Sequence, residues 1–154
     1  MFSIFSMKNL FIRDIEKVAI SNNNIEKFDK HILREGKYSF SLPEGWDIDS
    51  VNNESNDIIV TFNNNGNIYG DISIVDGDID NICRNIQGDT DSIRSIEDSY
   101  KWTIVTKKNG KSISNYYIRN YSEGKILIVK FSYKDDKEKN SIKVVFDYIA
   151  MSFS

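Results

Sequence analysis

The sequence is poor in the residues that build disulfides and catalytic sets. Its 154 residues include one cysteine, Cys83, and one histidine, His31. A single cysteine excludes an intramolecular disulfide, so a small fold held by disulfides is ruled out, although export is not. A Ser-His-Asp triad would have to use His31, and a Cys-His pair would need Cys83 to leave the core. We therefore predict a protein that is not an enzyme and binds no cofactor.

Long apolar runs and dense basic clusters are missing as well. No run of about 18 apolar residues occurs, so no membrane-spanning helix is predicted. Residues 1–12 are apolar but are broken by Ser, Lys and Asn, unlike a signal peptide. We expect a cytoplasmic protein, or a membrane-anchored one if an anchor upstream of this sequence has been removed. The scattered basic residues and the net charge of -3 argue against nucleic acid as a partner.

The chain does contain enough apolar material for one core. Hydrophobic residues make up 40% of it and aromatic residues 12%. A length of 154 residues favours a single compact domain over two. At this size a domain buries about 70% of the surface that its unfolded chain exposes, so a sizeable core is feasible.

The first 36 residues are predicted to be a helical N-terminal segment. Apolar residues between 8 and 20 recur at the spacing of one helix face. Asn24 suits the N-cap of a second helix, and Gly36 suits its C-terminal end. His31 would then lie on the surface of that second helix. The buried face of the same helix would be formed by Ile25, Phe28, Ile32 and Leu33.

The stretch from residue 38 to 48 predicts a strand, a turn and a return to the core. Its first apolar residues alternate with serines and so point to one side: Tyr38, Phe40 and Leu42. Pro43 ends the strand, because proline lacks the N–H that a sheet hydrogen bond needs. After the turn, Trp46 and Ile48 are expected to point into the core.

Two strands and a helix follow. Residues 57–62 and 68–76 are predicted strands, and the Asn-Asn-Asn-Gly sequence at 63–66 is a strong hairpin signal between them. A helix is predicted to begin after an N-cap at Asp78 and to end at Gly88. Its apolar stripe contains Ile79, Ile82, Cys83 and Ile86. This position favours a buried structural thiol over a nucleophile.

Three more strands and a C-terminal helix complete the chain, at residues 102–109, 112–121, 126–133 and about 137–153. Both faces of the third of these strands are apolar, which predicts a central strand that is covered on both sides. Residues 89–99 are acidic and are left unassigned. Because the strands are joined by short turns, we predict an antiparallel sheet. The predicted fold class is α+β, with a sheet of about six strands sandwiched by helices in an α/β/α arrangement.

Residues 40–47 read F-S-L-P-E-G-W-D, and the predicted order from there is three strands, a helix, three strands and a helix. This combination, over about residues 38–153, resembles the PsbP-like fold. The fold is shared by the PsbP extrinsic proteins of photosystem II and by a Ran-binding nuclear import factor. The chain also resembles PsbP-related, membrane-associated proteins of bacteria. It departs from the photosynthetic members in its short loops and its added N-terminal segment.

The resemblance implies that residues 37–154 form a PsbP-like domain behind the segment 1–36, within one compact domain. It also implies a non-catalytic binding or assembly module with a protein partner, held near a membrane in several relatives. Photosystem binding is not implied, because the chain departs from the photosynthetic members. The identity of the partner and the oligomeric state do not follow from the resemblance.

Acidic residues between Asp76 and Asp91 are the basis of the main alternative to a non-catalytic binding function. Three of them are spaced two apart, as ligands at the start of a calcium loop are: Asp76, Asp78 and Asp80. An EF-hand also needs Gly at its sixth position and Glu at its twelfth, where this chain has Asn81 and Gln87. We predict no tight metal site and interpret these acids as a strand end and a helix cap. A weak cation site, or a small hydrolase that uses the acidic cluster, is the alternative.

The predicted strand at 112–121 supplies the candidate binding residues. One of its faces carries Tyr117, Arg119 and Tyr121, and the other carries Ile118. The Ile118 face is the more apolar, so we expect the opposite face to point to solvent or to lie under a loose helix. Tyr and Arg are enriched at binding hot spots. We predict that any partner surface includes Tyr117, Arg119 and Tyr121; cross-strand aromatic packing is the alternative.

Overall fold

The structure is a computed structural model that describes residues 4–52, 57–90, 92–135 and 141–154. The helices of this described part are α1 (Ile4–Asn23), α2 (Ile79–Gln87) and α3 (Ile142–Ser152). Its strands, in chain order, are β1 (Phe28–Leu33), β2 (Tyr38–Pro43), β3 (Asp47–Val51), β4 (Ile58–Asn64), β5 (Ile68–Asp76), β6 (Ile93–Glu97), β7 (Lys101–Asn109), β8 (Ser112–Ser122) and β9 (Lys125–Lys134).

The described strands form two antiparallel sheets. β1 pairs with β2, and the others form a large sheet in the order β3-β4-β5-β9-β8-β7-β6. The predicted α+β class with a large antiparallel sheet is confirmed, and β9 is the central strand. The sheet has seven strands rather than about six because the polar stretches 47–51 and 93–97 also form strands. The strand at 38–43, which we expected in this sheet, pairs with β1 instead.

The described chain divides into two compact units, of which the first contains the residues up to Trp46 together with 141–154. In this unit α3 packs against both α1 and β2. Tyr38 of β2 stacks on Phe153, with ring centroids 5.6 Å apart. The apolar stripe of the C-terminal helix is confirmed by its buried residues, which are Ile142, Val145, Phe146, Ile149 and Phe153.

The second predicted helix is wrong, because residues 28–33 form strand β1. β2 offers a hydrogen-bonding edge, and β1 pairs with it along its whole length. The turn between them is closed by three residues with positive φ: Arg34, Glu35 and Gly36. A short helix is marginal on its own, so strand pairing outweighs the helical spacing of the apolar residues. His31 therefore lies on a strand, with its ring 5.6 Å from that of Phe40. The division of the chain at residue 37 remains a prediction.

Trp46 is only partly buried, which corrects the expectation that it points into the core. Gly45, with a φ of 93°, turns the chain just before it. The N–H of Trp46 then donates to the carbonyl of Pro43 at 3.1 Å. Trp46 therefore ends a turn, one residue before β3 begins, and does not occupy an inward position on a strand.

The second unit contains the residues from Asp47 to 135, and its sheet is buried on both faces. On one face the predicted stripe of α2 packs against Val105, Ile118 and Ile126. The largest buried side chains of the other face are Phe62, Trp102, Tyr117 and Phe131. The predicted N-cap of α2 is confirmed, because the Asp78 side chain accepts a hydrogen bond from the N–H of Asn81 at 3.1 Å.

Cys83 lies on the apolar stripe of α2, as predicted, but is partly rather than fully buried. Burial raises the pKa of its thiol, and the charge of Asp80 acts in the same direction. A thiol with a raised pKa is mostly protonated at neutral pH and is therefore a poor nucleophile. This environment supports the structural interpretation of Cys83.

Asp71 on β5 makes the stability of the protein depend on pH. Burial raises the pKa of its carboxyl group above the ordinary value of 3.8, although the charge of Lys130 opposes the shift. Such a group destabilises the fold at a pH above its folded-state pKa, and the penalty vanishes as the pH falls below 3.8. We expect Asp71→Asn to raise the urea midpoint of unfolding at about pH 7 and to lose this advantage at about pH 3. An unchanged or lower midpoint at neutral pH would contradict the expectation.

Candidate binding site

Four residues at one end of the large sheet form what we call the arginine cluster: Tyr100, Trp102, Arg119 and Tyr121. Arg119 and Tyr121 come from β8, and Trp102 comes from the neighbouring strand β7. Tyr100 lies in the turn that precedes β7. The whole cluster belongs to the second unit.

Two departures from regular strand geometry place the tyrosines of the cluster. β6 and β7 are joined by a three-residue turn, in which the N–H of Asp98 donates to the carbonyl of Tyr100 at 3.0 Å. The register between β8 and β9 shifts between Asn120 and Ser122, so Tyr121 sits at a β-bulge. Bulges re-aim side chains relative to the regular alternation. Both tyrosine rings reach the guanidinium group of Arg119 in this way.

The guanidinium group of Arg119 lies among three aromatic rings. Its Cζ atom is 3.9 Å from the ring centroid of Tyr100, 5.2 Å from that of Trp102 and 5.6 Å from that of Tyr121. Cation–π attraction at such distances stabilises the buried charge. Arg119 is 2% exposed, whereas Tyr100 is 52% exposed. Tyr100 therefore covers Arg119 on the solvent side.

Arg119 has one donor that is paired within the described chain and one buried donor that is not. Its Nη1 donates to the carbonyl of Asn120 at 2.9 Å, whereas its Nε is buried and has no acceptor. Within the described ranges, no carboxylate forms an ion pair with it. Burial lowers the pKa of Arg119 by disfavouring the charged form, and Tyr100 and Tyr121 oppose this shift. The guanidinium group still carries its charge at neutral pH, because the ordinary pKa of arginine is very high.

A second unsatisfied polar atom lies in the same turn as Tyr100. Oδ1 of Asp98 is buried and receives no hydrogen bond from the part of the chain that the structure describes. Buried polar atoms in folded proteins are nearly always hydrogen-bonded, so each exception needs a physical reason. The cluster thus contains a buried donor without an acceptor, and the adjoining turn contains a buried acceptor without a donor.

Tyr117 and Arg119 are buried, so of the two arrangements expected for their face, the one open to solvent is wrong. The ring of Tyr117 packs edge-on against Phe131 at 5.6 Å and against Trp102 at 6.4 Å. Its hydroxyl group accepts a hydrogen bond from Arg94 at 3.4 Å. Tyr117 is therefore nearly as buried as Ile118 on the opposite face. Tyr121 is partly buried, and the role of all three residues in binding remains a prediction.

We expect Arg119→Met to leave the free energy of unfolding within about 1 kcal/mol of the wild type, or to raise it. The wild type buries a charge that has no counter-ion among the described residues, and a methionine thioether packs well against aromatic rings. Urea denaturation followed by circular dichroism measures the difference. A loss of about 3 kcal/mol or more would instead show that Arg119 is one partner of a buried ion pair.

The acidic residues from Asp76 onwards were predicted as an alternative site. Within the described residues they do not come together to form a site. Asp76 forms an ion pair with Lys125, and Asp78 caps α2. Asp80 lies in the first turn of α2, where the helix dipole favours it. Over the described ranges, no group of three or more side chains is placed to hold a metal ion. Asp91 lies outside these ranges.

A polar cleft of about 500 Å³ lies beside the acidic stretch, lined by Asp89, Thr90, Ser92, Thr106, Lys107 and Lys108. It brings together two lysines, three hydroxyl groups and one acid. A hydrolase that used paired carboxylates would need two convergent acids. Of its described lining residues, only Asp89 is acidic, so this cleft does not supply such a pair.

Comparison with known proteins decides the fold. No protein-family model matches the sequence, and no curated protein matches it. Among solved structures, cyanobacterial PsbP from Synechocystis sp. PCC 6803 superimposes with a TM-score of 0.59 at 17% identity, over 84% of this chain and 93% of that one. The Ran-binding protein Mog1p of Saccharomyces cerevisiae gives a TM-score of 0.58 at 7% identity, over 83% of this chain and 95% of that one. The chain has the PsbP-like fold.

A third match is a crystal structure from Bacteroides thetaiotaomicron, with a TM-score of 0.58 and 13% identity. It aligns with 81% of this chain and with 47% of that protein, which is therefore the longer of the two. Identities this low show the PsbP-like fold alone. In the part of the chain that the structure describes, no helix is both long and apolar enough to cross a membrane.

Sequence reasoning found Arg119 and Tyr121 but missed the residues that surround them. Tyr100 lies between the unassigned stretch 89–99 and the strand predicted from residue 102. The sequence identifies Trp102 only as part of that strand. The available signal was the spacing of two aromatic residues, at 100 and 102, around a strand start. The hairpin formed by β7 and β8 brings them to Arg119.

Proposed function

We propose that the chain is a non-catalytic binding module that takes a protein partner on the surface around the arginine cluster. The observation that carries the proposal is an exposed tyrosine, Tyr100, stacked over a buried arginine that has no counter-ion among the described residues. Arg and Trp, both present in the cluster, are among the residues that dominate binding energies in protein interfaces. The likeness to Mog1p, a Ran-binding protein, supports a protein as the partner.

The cluster itself favours binding over catalysis. Its four residues are a cation and three aromatic side chains, and neither they nor the nearby Asp98 supply a Ser, Thr, Cys or Lys nucleophile. Cys83 has a raised thiol pKa and packs on the apolar stripe of α2, and His31 lies against Phe40 in the other unit. Neither residue stands in a catalytic arrangement with its described neighbours.

A position near a bacterial membrane is the finer part of the proposal, and it rests on the resemblance to membrane-associated relatives. Fractionation of the native organism with an antibody against this chain tests it separately. Recovery in the membrane pellet, with release by high salt or carbonate, would support the membrane position. Recovery in the soluble fraction alone would contradict it and would leave the binding role untouched.

Site-specific photo-crosslinking tests the binding role. The photoreactive amino acid p-benzoylphenylalanine replaces Tyr100 in one variant and Tyr69 in a matched control. Tyr69 is a suitable control because it is a similarly exposed tyrosine, at 57%, on β5 of the same sheet. After irradiation in a lysate of the native organism, we expect one discrete protein adduct from position 100 and none from position 69.

The crosslinked partner is then identified by mass spectrometry, purified and titrated into the wild-type chain by calorimetry. Saturable binding of the purified pair would support the proposed function. If position 100 gives no adduct, or if both positions give the same adducts, the surface around the arginine cluster is not a partner surface.

A further inference from the structure

We infer that the arginine cluster receives a carboxylate group from an acidic segment of the protein partner, and that Tyr100 swings away to admit it. The inference rests on the proposed function and adds the chemistry of the partner to it. Four features support it: the buried Nε donor of Arg119, the buried Oδ1 acceptor of Asp98, the cover formed by Tyr100 and the one cation among the four residues of the cluster.

The unused donors of Arg119 define what the site is able to take. A guanidinium group has five N–H donors in a planar fork that matches the two oxygens of a carboxylate. Only the bond from Nη1 to the carbonyl of Asn120 is made within the described chain. Nε is buried and has no acceptor. A carboxylate would supply both the missing acceptors and the missing charge.

Asp98 favours a peptide segment over a free acid. Its buried Oδ1 lies in the turn that carries Tyr100 and needs a donor, such as a backbone N–H. A peptide that contains Asp or Glu brings an acceptor for Arg119 and N–H donors in the same ligand. A small carboxylic acid brings only the acceptor. Nε of Arg119 and Oδ1 of Asp98 thus have complementary needs that one acidic peptide meets.

Tyr100 is placed to act as the cover of this site. Its ring lies 3.9 Å from Cζ of Arg119, yet the residue is 52% exposed and sits in a three-residue turn. Rotation of this one exposed side chain would uncover the guanidinium group. Trp102 would remain beneath it as an apolar wall, because Trp102 is 2% exposed. A charge-assisted hydrogen bond formed against such a wall is stronger than one formed in water.

The charge of the site favours a carboxylate over a phosphate. The cluster contains one cation, which balances the single negative charge of one carboxylate. Phosphate-binding surfaces use clustered Lys and Arg, and this chain has a net charge of -3 with scattered basic residues. An acidic protein segment is therefore the occupant that fits, and phosphate is an outcome that the experiment below separates from it.

Tryptophan fluorescence gives the readout for the test. The chain has two tryptophans, and Trp46→Phe leaves Trp102 of the cluster as the only indole. The probe is a short blocked peptide rich in Glu, and its matched control is the same peptide with every Glu replaced by Gln. We expect a saturable change in Trp102 emission with the Glu peptide and binding at least about tenfold weaker with the Gln peptide.

Three variants in the Trp46→Phe background locate the binding. Arg119→Met should abolish the response to the Glu peptide. Lys101→Met, which removes an exposed positive charge beside the cluster, should change the affinity by less than about twofold. Tyr100→Ala should bind the Glu peptide several-fold more tightly, because the cover no longer competes for the guanidinium group. Circular dichroism confirms that each variant remains folded.

Four results would overturn the inference. These are equal binding of the Glu and Gln peptides, unchanged binding in Arg119→Met, loss of binding in Tyr100→Ala, and an equal response to inorganic phosphate. Asp98→Asn gives a further check. If this substitution destabilises the free chain as much as the loss of a buried ion pair does, Asp98 is the counter-ion of Arg119 and the inference is wrong. If the crosslinking at position 100 succeeds while the peptide test fails, the proposed function stands and only the carboxylate assignment is wrong.

Discussion

Gly70→Ala is expected to destabilise the second unit by at least about 2 kcal/mol, because the added methyl group overpacks the core. Gly70 on β5 pairs with Phe62 on β4 and with Phe131 on β9. A Cβ atom at this position would lie 2.9 Å from Cδ2 of Phe62 and closer still to Cε2 and Cζ. Phe62 is fully buried, and its ring packs edge-on against Phe131 at 6.0 Å. The ring therefore has no space into which to retreat.

A double-mutant cycle tests this account of Gly70. Phe62→Leu shortens the side chain that the new methyl group would meet, so Gly70→Ala should cost less in the Phe62→Leu background than in the wild type. Urea denaturation of the four proteins gives the coupling energy. Additive effects would show that the glycine serves another purpose, and a Gly70→Ala variant as stable as the wild type would refute the packing argument.

Trp102→Ala is expected to cost about 3–5 kcal/mol of unfolding free energy, which is the usual range for truncating a buried aromatic residue. Trp102 is 2% exposed and packs edge-on against Tyr117, with ring centroids 6.4 Å apart. Trp46→Ala should cost clearly less, because Trp46 is only partly buried and the stabilisation scales with the apolar area removed from water.

Comparing the two tryptophan variants makes the experiment internally controlled. Both remove the same side chain, so differences in the unfolded state largely cancel. Each is measured by urea denaturation followed by far-ultraviolet circular dichroism. Equal costs, or a larger cost for Trp46→Ala, would mean that the burial of the two residues is misassigned.

The parts of the fold that the sequence predicts well are those with a strong local pattern. α2 has its cap at Asp78 and an uninterrupted apolar stripe, and both features are found. β9 has two apolar faces and is the central strand. The hairpin at 63–66 joins β4 to β5 with Gly66 at a φ of 75°. In each case the local preference and the tertiary environment favour the same structure.

The failures lie where strand pairing overrides local spacing. Residues 28–33 fit a helix face, but β1 gains a full set of hydrogen bonds by pairing with β2. Residues 93–97 carry no apolar alternation, yet they form β6 by pairing with β7. The energy that decides these elements comes from hydrogen bonding to the next strand of a hairpin, and the apolar spacing within one segment does not reveal that pairing.

The candidate site was only half predictable for the same reason. Arg119 and Tyr121 stand out on their strand because their residue types are enriched in interfaces. Their surroundings depend on the three-residue turn at Tyr100 and on the bulge at Tyr121, and no local rule predicts either register. Arg119 does not face solvent, which was one of the two arrangements expected for it, because Trp102 and Tyr100 pack against it.

Nuclear magnetic resonance of the Arg119 side chain tests the account most directly. In protein labelled with nitrogen-15, the Nε–H signal of Arg119 is assigned by its loss in Arg119→Met. On addition of the Glu-rich peptide, we predict that this proton moves downfield and exchanges more slowly with water, because a buried donor gains a charged acceptor. The Gln peptide should leave it in place. A signal that stays fixed while the Glu peptide shifts residues elsewhere would contradict the assignment of the arginine cluster as the carboxylate site.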